Sequence, residues 1–175
     1  IVTIGDTPVA IMQDRLRHPT TVHPGWLAKR LCYYFMSTSS LATACGMQTL
    51  IDVSGPWKVA SAFAIGAVAK IFGSPGMFYN LAGEQARLID DVTVTLPPFD
   101  QFIVLGPSRS QALVDHIFQE TGLQAAIVDV NDLKAVKILA KTQNTDEQML
   151  IQALIDNPAG NADEQTPVVL IRPKS

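Results

Sequence analysis

The chain is poor in the residues that mark the commonest small functional proteins. Only two cysteines, Cys32 and Cys45, occur in 175 residues. They have neither CxxC spacing nor neighbouring histidines, which argues against a disulfide-built scaffold or a thiolate zinc site. They read as buried thiols of a reducing cytoplasm. The histidines His18, His23 and His116 are scattered without metal-ligand spacing. There is no Gly-Lys-Ser/Thr loop, no GxGxxG run and no nucleophile elbow, so the usual nucleotide and hydrolase signatures are missing. Positive charge is also scarce. Thirteen Lys and Arg against sixteen Asp and Glu leave a formal charge of -3, which offers no basic field to nucleic acid or to an anionic membrane. No internal repeat, heptad array or low-complexity tract is visible.

Apolar residues are plentiful. At 47 % hydrophobic and 17 % charged, the chain has enough apolar side chain for one domain with a core, or for a core and a smaller lobe. It opens on Ile1 without a Met, as a trimmed chain would, and Ile1 to Ile4 reads as a strand rather than a signal peptide. Pro8 to Met12 reads as a second short strand. Trp26 to Met36 has its apolar residues at helical spacing, while Leu41 to Val53 is ambiguous between helix and strand. The run from Trp57 to Phe72 is apolar around nearly its whole circumference, broken by Lys58, Ser61, Gly66 and Lys70. Such a helix must be enclosed by protein or lipid. Lys58 and Lys70 bracket fewer than the roughly 20 apolar residues a membrane span needs. A sheet or a partner subunit is therefore the expected cover, no membrane is expected, and the chain is expected to be a homodimer.

Phe78 to Ile89 is expected to return as a helix, and Val92 to Leu96 alternates like a strand closed by Pro97-Pro98. The lobe junction is placed there. Residues 1–96 are expected to form an N-terminal part with a buried central helix and residues 97–175 a C-terminal α/β part, the alternative being one continuous domain. Beyond Pro97 the pattern predicts a strand at Phe102 to Leu105, a helix at Ser110 to Thr121 stopped by Gly122, and a strand at Ala125 to Val130. Helices at Asp132 to Ala140 and Asp146 to Ile155 and a strand at Val168 to Ile171 complete it. Alternation of this kind suggests crossover α/β units within a mixed α/β, or α+β, fold.

Polar residues at the ends of these strands are the candidate site, because open sheets gather ligands at the carboxyl ends of their strands. Gly106-Pro107-Ser108-Arg109-Ser110 places a guanidinium and hydroxyls at the start of a helix, so Ser108 and Arg109 are candidates to hold phosphate or carboxylate. The plainer reading is a helix cap with a solvated Arg109. Asp129-Val130-Asn131-Asp132 could supply oxygen ligands to a hard cation such as Mg²⁺, although Asp132 is equally an ordinary N-cap. Asn157 to Thr166 reads as a turn-rich loop in which Glu164, Gln165 and Thr166 exceed what a turn requires. Glu84 and Arg87, three apart on a helix, read first as a surface pair.

Several segments together resemble a bacterial branch of the coenzyme F420-0:gamma-glutamyl ligase-like family, over about the last hundred residues. They are Phe78 to Gln85, Ile89-Asp90-Asp91, Ile103 to Pro107, Ala126 to Leu133 and Asn157 to Pro167. The resemblance implies an α+β fold assembled as an intertwined dimer, and a GTP- and divalent-metal-dependent addition of L-glutamate. Characterised members carry an Asp-x-Ser-Asn run that has no counterpart here. They also carry Ser-Asp-Thr-Phe-Gly-Arg-Pro-Trp-Arg, which Asp52 to Lys58 followed by Ala64-Ile65-Gly66 echoes one residue short, making Asp52 an outlying metal candidate. The leading expectation is a ligase-like enzyme that forms an amide, gamma-glutamyl-type bond with GTP and Mg²⁺ or Mn²⁺. In it Asp129, Asp132 and Asp52 would contact metal, Ser108 and Arg109 the phosphate or carboxylate, and Glu164 and Gln165 would act catalytically by orienting the acceptor. The rival is a non-catalytic dimeric module that binds a small anionic metabolite. A ligase needs carboxylates converging on a cleft, whereas the module needs only the Ser/Arg turn.

Overall fold

The computed structural model describes residues 1–90, 97–130, 134–160 and 166–172. The fold is mixed α and β. In chain order it forms β1 (Val2–Gly5), α1 (Asp6–Met12), β2 (Leu16–Arg17), α2 (Trp26–Leu31), α3 (Ala44–Ser54), α4 (Pro56–Ile71), α5 (Met77–Ala82) and α6 (Gln85–Leu88). Then come β3 (Ile103–Val104), α7 (Ser110–Thr121), β4 (Ala125–Val130), β5 (Val136–Lys141), α8 (Glu147–Leu154) and β6 (Val168–Leu170). Two compact units result: Ile1–Asp14 with Pro107–Ser175, and Arg15–Gly106. The division therefore falls past Gly106 rather than at Pro97, and the first strand belongs with the C-terminal part. The expected strand at Val92 to Leu96 lies outside the described residues.

The first unit is built on a four-stranded sheet in the order β5-β4-β1-β6. β1 runs parallel to β4, with Val2 opposite Ala125 and Gly5 opposite Val128, and antiparallel to β6. β4 and β5 are antiparallel. The sheet is thus not the run of crossover units expected from the alternation, since β1 and β4 are the one parallel pair among the described strands. Two local readings changed with it. Pro8 to Met12 lies in α1, where proline near the start of a helix costs no hydrogen bond. The helix expected at Asp132 to Ala140 is strand β5 from Val136, preceded by Lys134 at φ 61°. Ala, Lys and Leu favour a helix locally, but pairing with β4 overrides that preference.

Alternation along β4 sets the two faces of the sheet. Ala125 and Ile127 pack with Val9 of α1 and Val114 of α7, while Ala126 and Val128 pack with Leu150 and Leu154 of α8. α7 ends where expected, because Gly122 takes φ 69° and its N–H bonds Phe118 O. Asp146 caps α8, accepting from the N–H groups of Gln148 and Met149 at 2.9 and 3.3 Å.

The second unit is mostly helical around a core that includes Leu41, Met47, Leu50, Val59 and Ile103. The ambiguous Leu41 to Val53 segment resolves as helix α3, opened by Thr43, whose Oγ1 accepts from Gly46 N–H at 3.0 Å. The single helix expected over Phe78 to Ile89 is broken into α5 and α6 at Gly83, which takes φ 104°. Trp26 to Met36 is helical only to Leu31 and continues as a tight turn over Cys32–Tyr34. The ends of the unit are tied together. Leu16 pairs with Val104, Leu105 N–H bonds Arg15 O at 3.0 Å, and Arg15 Nε donates to Gly106 O at 2.6 Å.

Among the described residues of the chain itself, α4 is covered on one face and exposed on the other. Val59 and Ala62 are buried, but Trp57, Ile71 and Phe72 keep 87, 83 and 82 % of their surface exposed. Among the described residues, no helix is long and apolar enough to cross a membrane. The inner face of α4 meets α5 closely at Gly66, where an added Cβ would stand 3.0 Å from Phe78 Cβ and N. Gly66→Ala should therefore destabilise the unit by about 1–3 kcal/mol through overpacking, despite the gain of nearly 1 kcal/mol that alanine brings to a helix interior. Denaturant unfolding measures the sign, and a more stable variant would show that α5 yields to the extra methyl.

Candidate functional site

Register decides what meets at the carboxyl end of the sheet. Gly5 stands opposite Val128, so the chains leaving β1 and β4 emerge side by side, one into Asp6-Thr7 at the start of α1, the other into Asp129-Val130. The same edge receives β6 from its other neighbour, because Gly5 N–H bonds Pro167 O at 3.0 Å. Three segments far apart in sequence thus arrive at one edge: Gly5 to Thr7, Asp129, and Thr166-Pro167. Asp132, Glu164 and Gln165 lie outside the described residues, so what is established is where the chain enters and leaves them.

Asp129 continues the face of Ala125 and Ile127 and pairs across the strands with Lys137. Burial pushes its carboxyl above the ordinary carboxylate range, and the Lys137 ammonium pulls it only partly back. A carboxylate short of solvation is poised to accept a cation or a proton. Among the described residues no group of three His, Cys, Asp or Glu side chains could hold a metal ion.

Asp52 belongs to the other unit. It lies in α3, where Oδ2 accepts from Arg17 Nη1 at 2.6 Å and Oδ1 from Gln48 Nε2 at 2.6 Å. A guanidinium and an amide already engage both of its oxygens.

The Ser108 to Ser110 turn is built differently from the plain cap. Ser108 is held by Gln13, whose Oε1 accepts from the Ser108 N–H at 2.7 Å and from its Oγ at 3.2 Å, while Nε2 donates to Ser108 O at 2.9 Å. Its hydroxyl proton is therefore spent on positioning. Arg109 takes φ 51°, a left-handed conformation uncommon for a residue with a side chain, and provides no side-chain cap to α7. The first N–H to close on the helix is that of Leu113, onto Arg109 O at 3.1 Å. The amides of Ser110 to Ala112 precede it, next in sequence to the exposed Arg109.

This turn and Asp129 do not share a corner. Gln111 Nε2 donates to Lys141 O at 3.0 Å, and Lys141 is paired with Ala126 at the start of β4. Asp129 is three residues further along, roughly 10 Å at the rise of an extended strand. Sequence reasoning placed both at strand carboxyl ends, but the strand before the turn, β3, belongs to the small β2-β3 sheet.

The second unit contains a pocket of about 340 Å³ that the sequence reading did not single out. Thr38, Ser39, Ser40, Tyr79, Arg87 and Asp90 supply its polar lining. Arg87 Nη2 there donates to Asn80 Oδ1. The hydroxyl run Ser37 to Ser40 was the available signal.

No family model matches the chain, and no curated protein or solved structure matches it.

The raised Asp129 pKa fixes a pH dependence. Its contribution to stability is fully present below the ordinary value of 3.8 and is lost as pH rises through the higher folded value. Asp129→Asn should therefore melt above the wild type at neutral pH without added cation. The gap should close on acidification to well below 3.8, where the carboxyl is protonated in both states. A variant that melts lower at pH 7 would show the carboxylate to be net stabilising.

Proposed function

We propose that the protein is a ligase-like enzyme that forms an amide, gamma-glutamyl-type bond with a nucleotide, GTP by resemblance, and Mg²⁺ or Mn²⁺. The observation that supports this reading most is the meeting of Asp6-Thr7, Asp129 and the Thr166-Pro167 strand entry at one sheet edge. On this reading Asp129 and Asp132 hold the cation. Glu164 and Gln165, which directly precede Thr166, orient the acceptor. A bound divalent ion would neutralise charge on a transferred phosphoryl group. Asp129, held at the sheet edge by pairing with Lys137, contributes a fixed and poorly solvated negative charge. Asp52 fits this centre less well, because its carboxylate already serves Arg17 and Gln48.

The second reading is a non-catalytic dimeric module that binds a small anion at the α7 turn. One observation favours it: α7 starts from Arg109 with no side-chain cap, and on this reading the Arg109 guanidinium and the amides of Ser110 to Ala112 take the anion without Asp129. In this module Ser108 sets the turn and Arg109 makes the charged contact.

Thermal shift separates the two. Mg²⁺ or Mn²⁺ with GTP should raise the Tm by mass action, and Asp129→Asn should remove the metal-dependent part of that rise. An equal rise in the variant removes Asp129 from the centre, and no rise with any nucleotide leaves the module as the better reading.

Arg109→Gly tests the module separately. Glycine accepts the left-handed conformation, so stability should hold or improve by up to about 1 kcal/mol. Phosphate or GTP binding should weaken by about 1.5–3 kcal/mol, the scale of a charge-assisted hydrogen bond. Unchanged calorimetric affinity would leave the turn as a helix start only.

A further inference from the structure

We propose that the exposed stripe of α4 is the surface on which a second copy of this chain docks, helix against helix and antiparallel. Successive residues of a helix turn by 100°, so Trp57, Ser61, Ala64, Ile65, Val68 and Phe72 fall on one face. Trp57 and Phe72 are 87 and 82 % exposed and Ile65 and Val68 just over half. With the neighbouring Ile71 these side chains present on the order of 800 Å², what one partner contributes to a stable interface of standard size and more than the largest apolar patch of an ordinary monomer. The opposite face of α4 is already taken by α5 through the Gly66–Phe78 contact, so the stripe is a firm surface left exposed among the described residues.

Charge and shape select the occupant. The stripe carries no ionisable residue. Lys58 lies at one margin, and Lys70 falls on the opposite side of the helix. An interfacial helix on an anionic membrane would instead carry cations along its polar margins. Two copies related by a two-fold axis between Ala64 and Ile65 place Trp57 over Phe72 of the second copy, Val68 over Ser61 and Ile65 over Ala64. Aromatic rings then meet at both ends of the contact. In its middle each branched side chain faces a small one, which allows close approach. The opposite, parallel arrangement would stack Trp57 on Trp57 and leave the small residues facing one another.

Sedimentation of the full chain at micromolar concentration should give a dimer. Val68→Glu should weaken the association at least tenfold, with the far-ultraviolet circular dichroism of the folded chain retained because Val68 is not part of the core. Orientation is read separately with Cys45 replaced by Ala. On oxidation the double variant Trp57→Cys/Phe72→Cys should give covalent dimers, while Trp57→Cys alone should not. A monomeric wild type, a dimer unaffected by Val68→Glu, or cross-linking of Trp57→Cys alone would overturn the proposal. So would a monomer that sediments with phosphatidylserine vesicles, which would give the stripe to lipid.

Discussion

The first unit depends on β1 having both of its edges occupied. Four residues long, it pairs with β4 on one side and β6 on the other, and side chains and termini reinforce the ladder. The Ile1 amino group donates to Ile171 O at 2.8 Å, and Thr3 Oγ1 donates to Val169 O at 3.0 Å. Remove β1 and β6 has no described neighbour, while β4 keeps only β5. The candidate site has the same origin. Its three contributing segments share an edge only because β1 stands between β4 and β6, so positioning at the site is a property of long-range pairing rather than of any local motif.

What was legible in the sequence follows from that distinction. The strand at Ala125–Val130, the helix stopped by Gly122 and the capped helix after Asp146 are set by residues within a turn or two of themselves, and all three stand where their side chains placed them. β5 and α1 are set by partners. Nothing between Val136 and Lys141 signals that β4 will lie alongside, and Pro8 was as compatible with a strand start as with a helix start. The position of Asp129 at a carboxyl end could be read from pattern. Its partition from the Arg109 turn could not, because it turns on which sheet β3 joins, and a two-residue strand carries almost no sequence signal.

α4 shows the same limit from the side of composition. An all-apolar helix calls for cover, but composition does not say where the cover comes from. Within the second unit the cover reaches Val59, Ala62, Phe63 and Gly66 and leaves Trp57, Ile65, Val68, Ile71 and Phe72 exposed. The sparse charge of the whole chain conceals this, since an average over 175 residues does not reveal that one helix face carries none.

Arg15–Gly106 interrupts the first unit and is closed at its ends by the Leu16–Val104 pairing and the Arg15–Gly106 hydrogen bond. On a ribosome this fixes an order of events. The inserted unit has all its partners once Gly106 has emerged and can condense while synthesis continues. β1, which precedes that unit, must wait for Ala125 before its parallel neighbour exists and for Val168 before its second edge is covered. Until Val168 is made, β1 is therefore an apolar strand short of its partners, separated from them in sequence by a unit that closes on itself.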